Sequence, residues 1–383
     1  MSAETILVTG GAGFIGQHLC RALLAAGYSV KVLDSFQAQV HGSHGNLATD
    51  LEGEVELMRE DVRNTAAMSI AVRGVDAVVH LAADTGTGQS MYEIERYFDV
   101  NVQGTAVLLA AVQKSKGSDR IRSIVVASSR AVYGEGAYSC VNHGTVYPDG
   151  RTSIDLAAGS YEPRCPFCET IVVTRATDES APFKPMSIYG LTKQVQEQAV
   201  LMCARTLSIV GIALRYQNVY GPGQSLRNPY TGILAVFSNL ARQGQAIELY
   251  EDGLESRDFV FVADVVEATS RAISVREKFA GAINIGYGAA TTVETVANEI
   301  NGYFGGKSAV QVTGAFRVGD IRHNSAWLGK AAEILNFRPD TQFRSGIRQF
   351  LSWAESQEMG DKNAYAMSVA ELTSQGLMHR RAP

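Results

Sequence analysis

The sequence predicts an α/β protein built on a doubly wound parallel sheet, with a smaller mixed lobe after it and a cysteine-containing insertion. Three observations carry this expectation. Short β-branched apolar runs alternate with helical patterns through the first 215 residues, as in a parallel sheet with right-handed crossovers. From about 135 to 180, Gly, Pro, Cys and polar residues leave no clean period. Beyond Gly221 the patterns are shorter and more mixed. The expected division is a sheet domain over 1–215 carrying the insertion at 135–180, a second lobe mainly over 216–355, and a polar tail over 356–383.

Thr5-Ile6-Leu7-Val8-Thr9 is a β-branched apolar run and reads as a buried strand. A glycine-rich turn follows it. Helical spacing then runs over 17–26, and Gly27 ends it. The next strand, 29–33, closes at Asp34. Further strands are expected at 55–58, 77–80, 121–127 and 212–215, with long helices over 93–113 and 187–207. After Ser356 the chain is polar and reads as loosely held.

Bulk properties narrow the function classes. The 383 residues hold 46% hydrophobic and 19% charged side chains, enough for a sizeable core. Net charge is −5, from 34 Lys and Arg against 39 Asp and Glu, so no basic surface argues for nucleic acid. An anionic small substrate is still open, because a few placed arginines suffice for a diphosphate. No apolar run reaches the roughly 18 residues of a membrane helix. The N-terminus enters a strand at once, with no room for a signal peptide. Five cysteines, few and odd in number, point to a reducing, cytoplasmic compartment.

The turn Thr9-Gly10-Gly11-Ala12-Gly13-Phe14-Ile15-Gly16 lies between a predicted strand and a predicted helix. Glycines there let backbone N–H groups approach a pyrophosphate while the helix N-terminus faces its charge. The context matters, since the glycine pattern alone is weak. Asp34, about twenty residues on, can accept both ribose hydroxyls of an adenosine and would repel a 2′-phosphate. That favours NAD over NADP. Asp61 and Val62 end the following strand, within reach of an adenine.

Tyr189 and Lys193 stand at i and i+4 on one helical face. An ammonium beside a phenol, with a positive nicotinamide, lowers the phenol's pKa toward neutrality and lets it exchange a proton with a substrate hydroxyl. Ser129 ends a predicted strand, where a hydroxyl can hydrogen-bond the reacting oxygen. His80 closes another strand and reads as a packing residue.

This combination resembles the extended short-chain dehydrogenase/reductase family, in its nucleotide-sugar epimerase/dehydratase group, over roughly 4–350. Supporting blocks are His80-Leu81-Ala82-Ala83, Asn101-Val102-Gln103-Gly104-Thr105, Arg215-Tyr216-Gln217-Asn218-Val219-Tyr220-Gly221-Pro222 and Ser256-Arg257-Asp258-Phe259-Val260. The resemblance implies a Rossmann domain with tightly bound NAD and a catalytic set of Ser129, Tyr189 and Lys193. It places the cofactor on Gly10, Gly13, Phe14, Ile15, Gly16, Asp34, Asp61, Val62, Leu81, Ala82, Ala83 and Asn101, together with Tyr189 and Lys193. The substrate falls to Thr85, Gly86, Ser129, Arg130, Asn218, Asn228, Arg257 and Arg322. The family's pairing of long helices implies a homodimer.

Residues after Ser129 bear on the reaction. The family's 4,6-dehydratases carry an Asp-Glu pair there, whereas this chain has Arg130-Ala131. Without those carboxylates an elimination lacks its acid and base, which leaves redox at C4. Asp34 favours an epimerase that retains NAD over a 4-ketoreductase that exchanges its cofactor. The segments 81–91 and 225–233, and the insertion, resemble the branch that interconverts dTDP-L-rhamnose and dTDP-6-deoxy-L-talose. UDP-hexoses and UDP-N-acetylhexosamines are the alternative substrates.

Sixty residues separate Ser129 from Tyr189. Between them lie Cys140-x-x-His143 and Cys165-x-x-Cys168, two ligand pairs about twenty residues apart, the spacing of a structural zinc site. Free thiols, or a disulfide within Cys165–Cys168, are the competing readings.

Overall fold

The computed structural model describes residues 3–42, 45–115, 121–228, 232–358 and 363–379. Of the stretch 225–233 singled out above, residues 229–231 lie outside the described residues.

Seven strands form the central sheet: β1 (Thr5–Thr9), β2 (Ser29–Asp34), β3 (Glu56–Arg59), β4 (Ala77–His80), β5 (Ser123–Ser129), β6 (Val210–Tyr216) and β7 (Ala280–Ile285). All neighbours pair in parallel, in the order β7-β6-β5-β4-β1-β2-β3. Side chains alternate between the two faces of a strand. Ile6 and Val8 of β1 therefore join one buried cluster with Val32, Val79, Val125 and Ile212. Leu7 joins the opposite one with Leu33, Val78, Ile124 and Ala213. Helices cover both clusters, which is why these strands read as unbroken apolar runs.

β7 corrects the expected boundary. The sheet domain is not confined to 1–215, because residues 280–285 return to pair with β6. The helix Val262–Ser274 also packs on this side, placing Val265, Ala268, Ala272 and Ile273 in the same cluster as β1.

The helix expected over 93–113 is present with a widened middle. Ile94–Tyr97 and Gly104–Lys114 are α-helical, and Phe98–Gln103 between them is a π-turn. The helix Ile188–Leu207 starts at Ser187, whose hydroxyl accepts the Gly190 N–H at 3.1 Å.

The insertion is more regular than its sequence. Gly144–Val146, Tyr138–Cys140 and Val173–Thr174 make a three-stranded antiparallel sheet, and Ser153–Ala157 a short helix. Its small core is Tyr138, Cys140, Val146, Cys165 and Val172.

The second lobe pairs Asn218–Tyr220, Ser256–Phe261 and Ala290–Thr292. Its core gathers Tyr220, Phe259 and Phe261 with Phe350 and Leu351 of the helix Phe343–Ser356. The expectation of a loosely held tail is corrected. Ala364–Ser374 is a helix, and Met378–His379 pairs antiparallel with Phe316–Arg317. Leu372 and Met378 are buried there against Ala315.

Candidate active site

A cavity of about 860 Å³ opens at the C-terminal tips of β1, β4 and β5. The strand order reverses at this point, with β2 and β3 to one side of β1 and β4 to β7 to the other. Open sheets bind ligands in this crevice, and the volume lies within the roughly 300–1,000 Å³ range of small-molecule sites.

One end is a glycine cradle. Gly10 has φ +71°, and a Cβ there would lie 2.7 Å from the Ala82 nitrogen. A Cβ on Gly16 would meet the Gly10 carbonyl oxygen at 2.3 Å, so the helix starts hard against the turn. Such closeness exposes the backbone N–H groups and the helix N-terminus to the cavity. Asp34 is buried at the lip, where its carboxylate accepts the Ala12 N–H at 3.0 Å and the Phe36 N–H at 2.8 Å. This fixed carboxylate beside a glycine turn fits the ribose of a dinucleotide. Asp61, Val62, Leu81, Ala82 and Ala83 line the same end. Asp61 is itself engaged by Arg63, at 2.6 Å, which holds its carboxyl below the usual range.

Asn101 does not line the cavity. Its buried amide reaches Thr192 Oγ1 at 3.0 Å and the Asp84 oxygen at 3.1 Å, and accepts the Asp84 N–H at 2.7 Å. The π-turn aims it at the loop after β4, so it fixes that loop and the helix of Tyr189 together. That loop brings Thr85 and Gly86 into the lining, and the Tyr97 hydroxyl donates to the Thr85 oxygen at 2.8 Å.

Ser129, Tyr189 and Lys193 converge where this loop ends. Ser129 closes β5, and its hydroxyl accepts the Ala131 N–H at 3.2 Å. The Ser129 hydroxyl also acts on the Tyr189 phenol, favouring its ionised form. Lys193 Nζ donates to the Ala127 oxygen at 2.9 Å and lies 5.9 Å from the Tyr189 ring centre. Burial pulls the lysine down to about 7. Burial likewise pushes the Tyr189 pKa up, opposed by the Ser129 hydroxyl and the charge of Arg130. Contrary to the reading of the i, i+4 spacing, the Lys193 ammonium does not by itself lower the phenol. A cation bound beside it would act in the missing direction.

Below the catalytic set lies a buried ionic brace. Glu197 accepts Ser128 Oγ at 2.6 Å and Arg215 NH2 at 2.5 Å. It ties the tip of β5 to the helix of Tyr189. His80 is buried between Thr9 Oγ1 at 2.7 Å and Thr105 Oγ1 at 3.0 Å. Burial lowers it to about 3, so it is neutral and structural as expected.

The far end is rich in arginine. Arg130, Arg257 and Arg317 line it together with the carboxyl groups of Asp320, Glu255 and Glu248. Arg257 NH2 lies 3.0 Å and Arg317 NH2 3.7 Å from Asp320 oxygens. These guanidinium groups hold the Asp320 carboxyl far below the ordinary range. Three guanidinium groups gathered there offer forked donors suited to a diphosphate. Among the described residues, Arg317 Nε, Asn218 Oδ1 and Glu255 Oε2 are buried there without a hydrogen-bond partner. Asn218 and Asn228 both line the cavity.

Arg322 is the chief correction to the expected substrate residues. It is 1% exposed, does not line the cavity, and is held by Asp252 at 2.7 Å and Glu162 at 2.7 Å. Arg317 occupies the wall instead. The sequence reading also missed Asp320, Glu255, Tyr365, Val369 and Leu372. The tail did carry a signal: Tyr365, Val369 and Leu372 recur at i, i+4 and i+7, one helical face.

The metal candidates come together as well. Ligand atoms of Cys140, His143, Cys165 and Cys168 all lie within 4.8 Å of one another.

Comparison with known proteins agrees with this geometry. The model of the NAD dependent epimerase/dehydratase family matches residues 6–153 and 158–286. A dTDP-L-rhamnose 4-epimerase of Burkholderia thailandensis is 37% identical over 365 residues, covering 95% of this chain and 98% of that one. A putative UDP-glucose 4-epimerase of Methanocaldococcus jannaschii is 29% identical, covering 92% and 98%. The structure of Thermus thermophilus UDP-glucose 4-epimerase in complex with NAD superposes with TM-score 0.72 at 26% identity, covering 92% of this chain and all of that one. The chain belongs to the NAD dependent epimerase/dehydratase family.

Proposed function

We propose that this enzyme is an NAD-dependent nucleotide-sugar 4-epimerase, and that its substrate pair is dTDP-L-rhamnose and dTDP-6-deoxy-L-talose. The observation that carries the activity is one cavity holding a glycine cradle, the Ser129–Tyr189–Lys193 cluster and an arginine cluster in succession. Gly10, Gly13, Gly16 and Asp34 would hold NAD, which supplies the hydride acceptor and donor for C4. Tyr189 takes the proton from the C4 hydroxyl and later returns it. Ser129 hydrogen-bonds the same oxygen. Lys193 adds positive charge beneath the phenol and orients the nicotinamide ribose.

Epimerisation requires the 4-keto sugar to present its other face while the nucleotide stays anchored. The arginine cluster is placed to keep that anchor. Arg130 stands where an eliminating enzyme of this family would carry a carboxylate, which supports C4 redox without loss of water. The deoxysugar assignment rests on the 37% identical relative over nearly the whole chain. It also rests on the apolar wall of Val369 and Leu372, which suits a C6 methyl group. Relatives named for UDP-glucose support UDP-hexoses as the second reading.

Incubation without added cofactor with dTDP-L-rhamnose, UDP-galactose or UDP-N-acetylgalactosamine tests this by proton NMR. A new C4 epimer from the deoxysugar is expected. Turnover of a UDP-sugar alone would remove the deoxysugar assignment and keep the mechanism; a strict need for stoichiometric NADPH would make the enzyme a reductase.

The helices Gly104–Lys114 and Ile188–Leu207 are the proposed homodimer face. Met202 on the second is 65% exposed and Leu191 36% exposed. Sedimentation at twice the chain mass, lost in Met202→Asp, is the expected result. The few, odd-numbered cysteines favour the cytoplasm.

A further inference from the structure

We propose that the insertion is a structural zinc module, with Cys140, His143, Cys165 and Cys168 as its four ligands, and that it supports the wall carrying Asp320. The distances fit one tetrahedral ion. Zn–S bonds of about 2.3 Å and Zn–N bonds of about 2.0–2.1 Å give tetrahedral edges of roughly 3.7 Å between sulfurs and roughly 3.6 Å between sulfur and nitrogen. The structure has Cys140 Sγ 3.7 Å from Cys168 Sγ and 3.6 Å from His143 Nδ1. Cys165 Sγ lies 3.5 Å from the same His143 nitrogen. A disulfide would bring two sulfurs to about 2.05 Å, and all three thiols are free.

Polar groups surround two of the sulfurs. Asn142 Nδ2 lies 3.7 Å and Thr170 Oγ1 3.2 Å from Cys168 Sγ, and Thr170 Oγ1 lies 3.7 Å from Cys140 Sγ. Cys165 and Cys168 sit on one turn, closed by Glu169 N–H to the Cys165 oxygen at 2.9 Å and by a φ of +57° at Glu169. Cys140 and His143 sit on the hairpin of Tyr138–Cys140 and Gly144–Val146. Three soft sulfurs and an imidazole in a closed set are the donor chemistry of structural zinc, with no position left for a reacting water.

The module also lacks the apolar content to hold itself. Around the ligands only five buried residues cluster, two of them ligands, while Val141, Phe167, Ile171 and Val173 are 61–92% exposed; Leu156 and Tyr161 pack separately against Phe316. Segments of this size ordinarily need a staple.

A rigid module would steady the substrate wall. Tyr138, two residues before Cys140, donates to Glu135 Oε2 at 3.1 Å. Glu135 also accepts the Arg322 N–H at 2.9 Å and Arg151 Nε at 3.2 Å. Arg151 NH2 in turn donates to the backbone carbonyl oxygen of Asp320 at 3.0 Å. The Asp320 side chain pairs with the cavity arginines Arg257 and Arg317. This coupling rests on the substrate reading above; the metal site does not.

The test uses the full chain purified without chelator. Metal analysis should give about one equivalent of zinc, and X-ray absorption should show three sulfurs and one nitrogen at the bond lengths above. Cys165→Ser/Cys168→Ser should lose the metal and open the insertion to protease. Zinc-free wild type with three freely alkylating thiols would overturn the site, as would full zinc retention in the double variant. If the variant does not fold, the absorption spectrum of wild type still decides. Removing the zinc by chelation should raise the KM for nucleotide-sugar more than it lowers kcat. An unmoved KM in folded, zinc-free protein would overturn the coupling and leave the site standing.

Discussion

The dinucleotide end of the cavity draws its walls from residues 10–17, 33–41 and 61–63, the turns at the tips of three successive strands. The arginine-rich end collects Arg130, Asn218, Asn228, Arg257, Arg317, Asp320 and Leu372, residues spread over more than 240 positions. The first end is mostly local: Asp34 is held by Ala12 and Phe36 within one βαβ unit, and Leu81 to Ala83 add the neighbouring strand tip. The second exists only when the insertion, the second lobe and the final helix have docked. Damage at the first end should therefore strike chemistry or stability directly. Damage at the second should strike affinity.

Tyr189→Phe offers the largest separation. Turnover should fall roughly a hundred- to ten-thousand-fold, with the KM for nucleotide-sugar little changed. Unchanged turnover would remove the phenol from the proton transfer. Next is Glu197→Ala, which strands Arg215 in the brace below the catalytic set. A buried pair broken on one side costs about 3–5 kcal/mol, readable as a shift in urea midpoint; a shift near zero would mean Ser128 and Arg215 find other partners. Arg257→Met should work in the opposite sense to Tyr189→Phe, raising KM while kcat holds. A fall in kcat alone would show the two ends to be one machine.

The smallest effect is a pH dependence. Lys193 sits at about 7 in the folded protein, pulled down by burial, against about 10.4 in an unfolded chain. Between those values the unfolded chain holds a proton that the folded one does not, so this group makes the cofactor-free protein more stable as pH rises. Below about 7 both forms are protonated and the penalty for burying the charge is fully present. The wild type should gain on Lys193→Met between pH 7 and pH 9 in urea titrations. A constant difference would mean that the ammonium is solvated.

Legibility in the sequence follows the same divide. The glycine turn, Asp34, Ser129, Tyr189 and Lys193 were readable because each role depends on a fixed interval along one strand or helix. β7 was not, since its place at the sheet edge is decided by docking against β6, 64 residues earlier at their closest ends by number (280 against 216). Arg317 and Arg322 flank one Gly-Asp turn, and only the backbone path tells which faces the cavity. Arg322 meets Asp252 and Glu162, contacts no spacing rule could supply. Polar composition hid the last helix, although Tyr365, Val369 and Leu372 already marked one face.

That last helix has a practical consequence. Trimming the chain near residue 358 to tidy an expression clone would delete Tyr365, Val369 and Leu372 from the binding wall. A shortened protein that still carries its nucleotide but ignores its sugar would then report the trimming, not the enzyme.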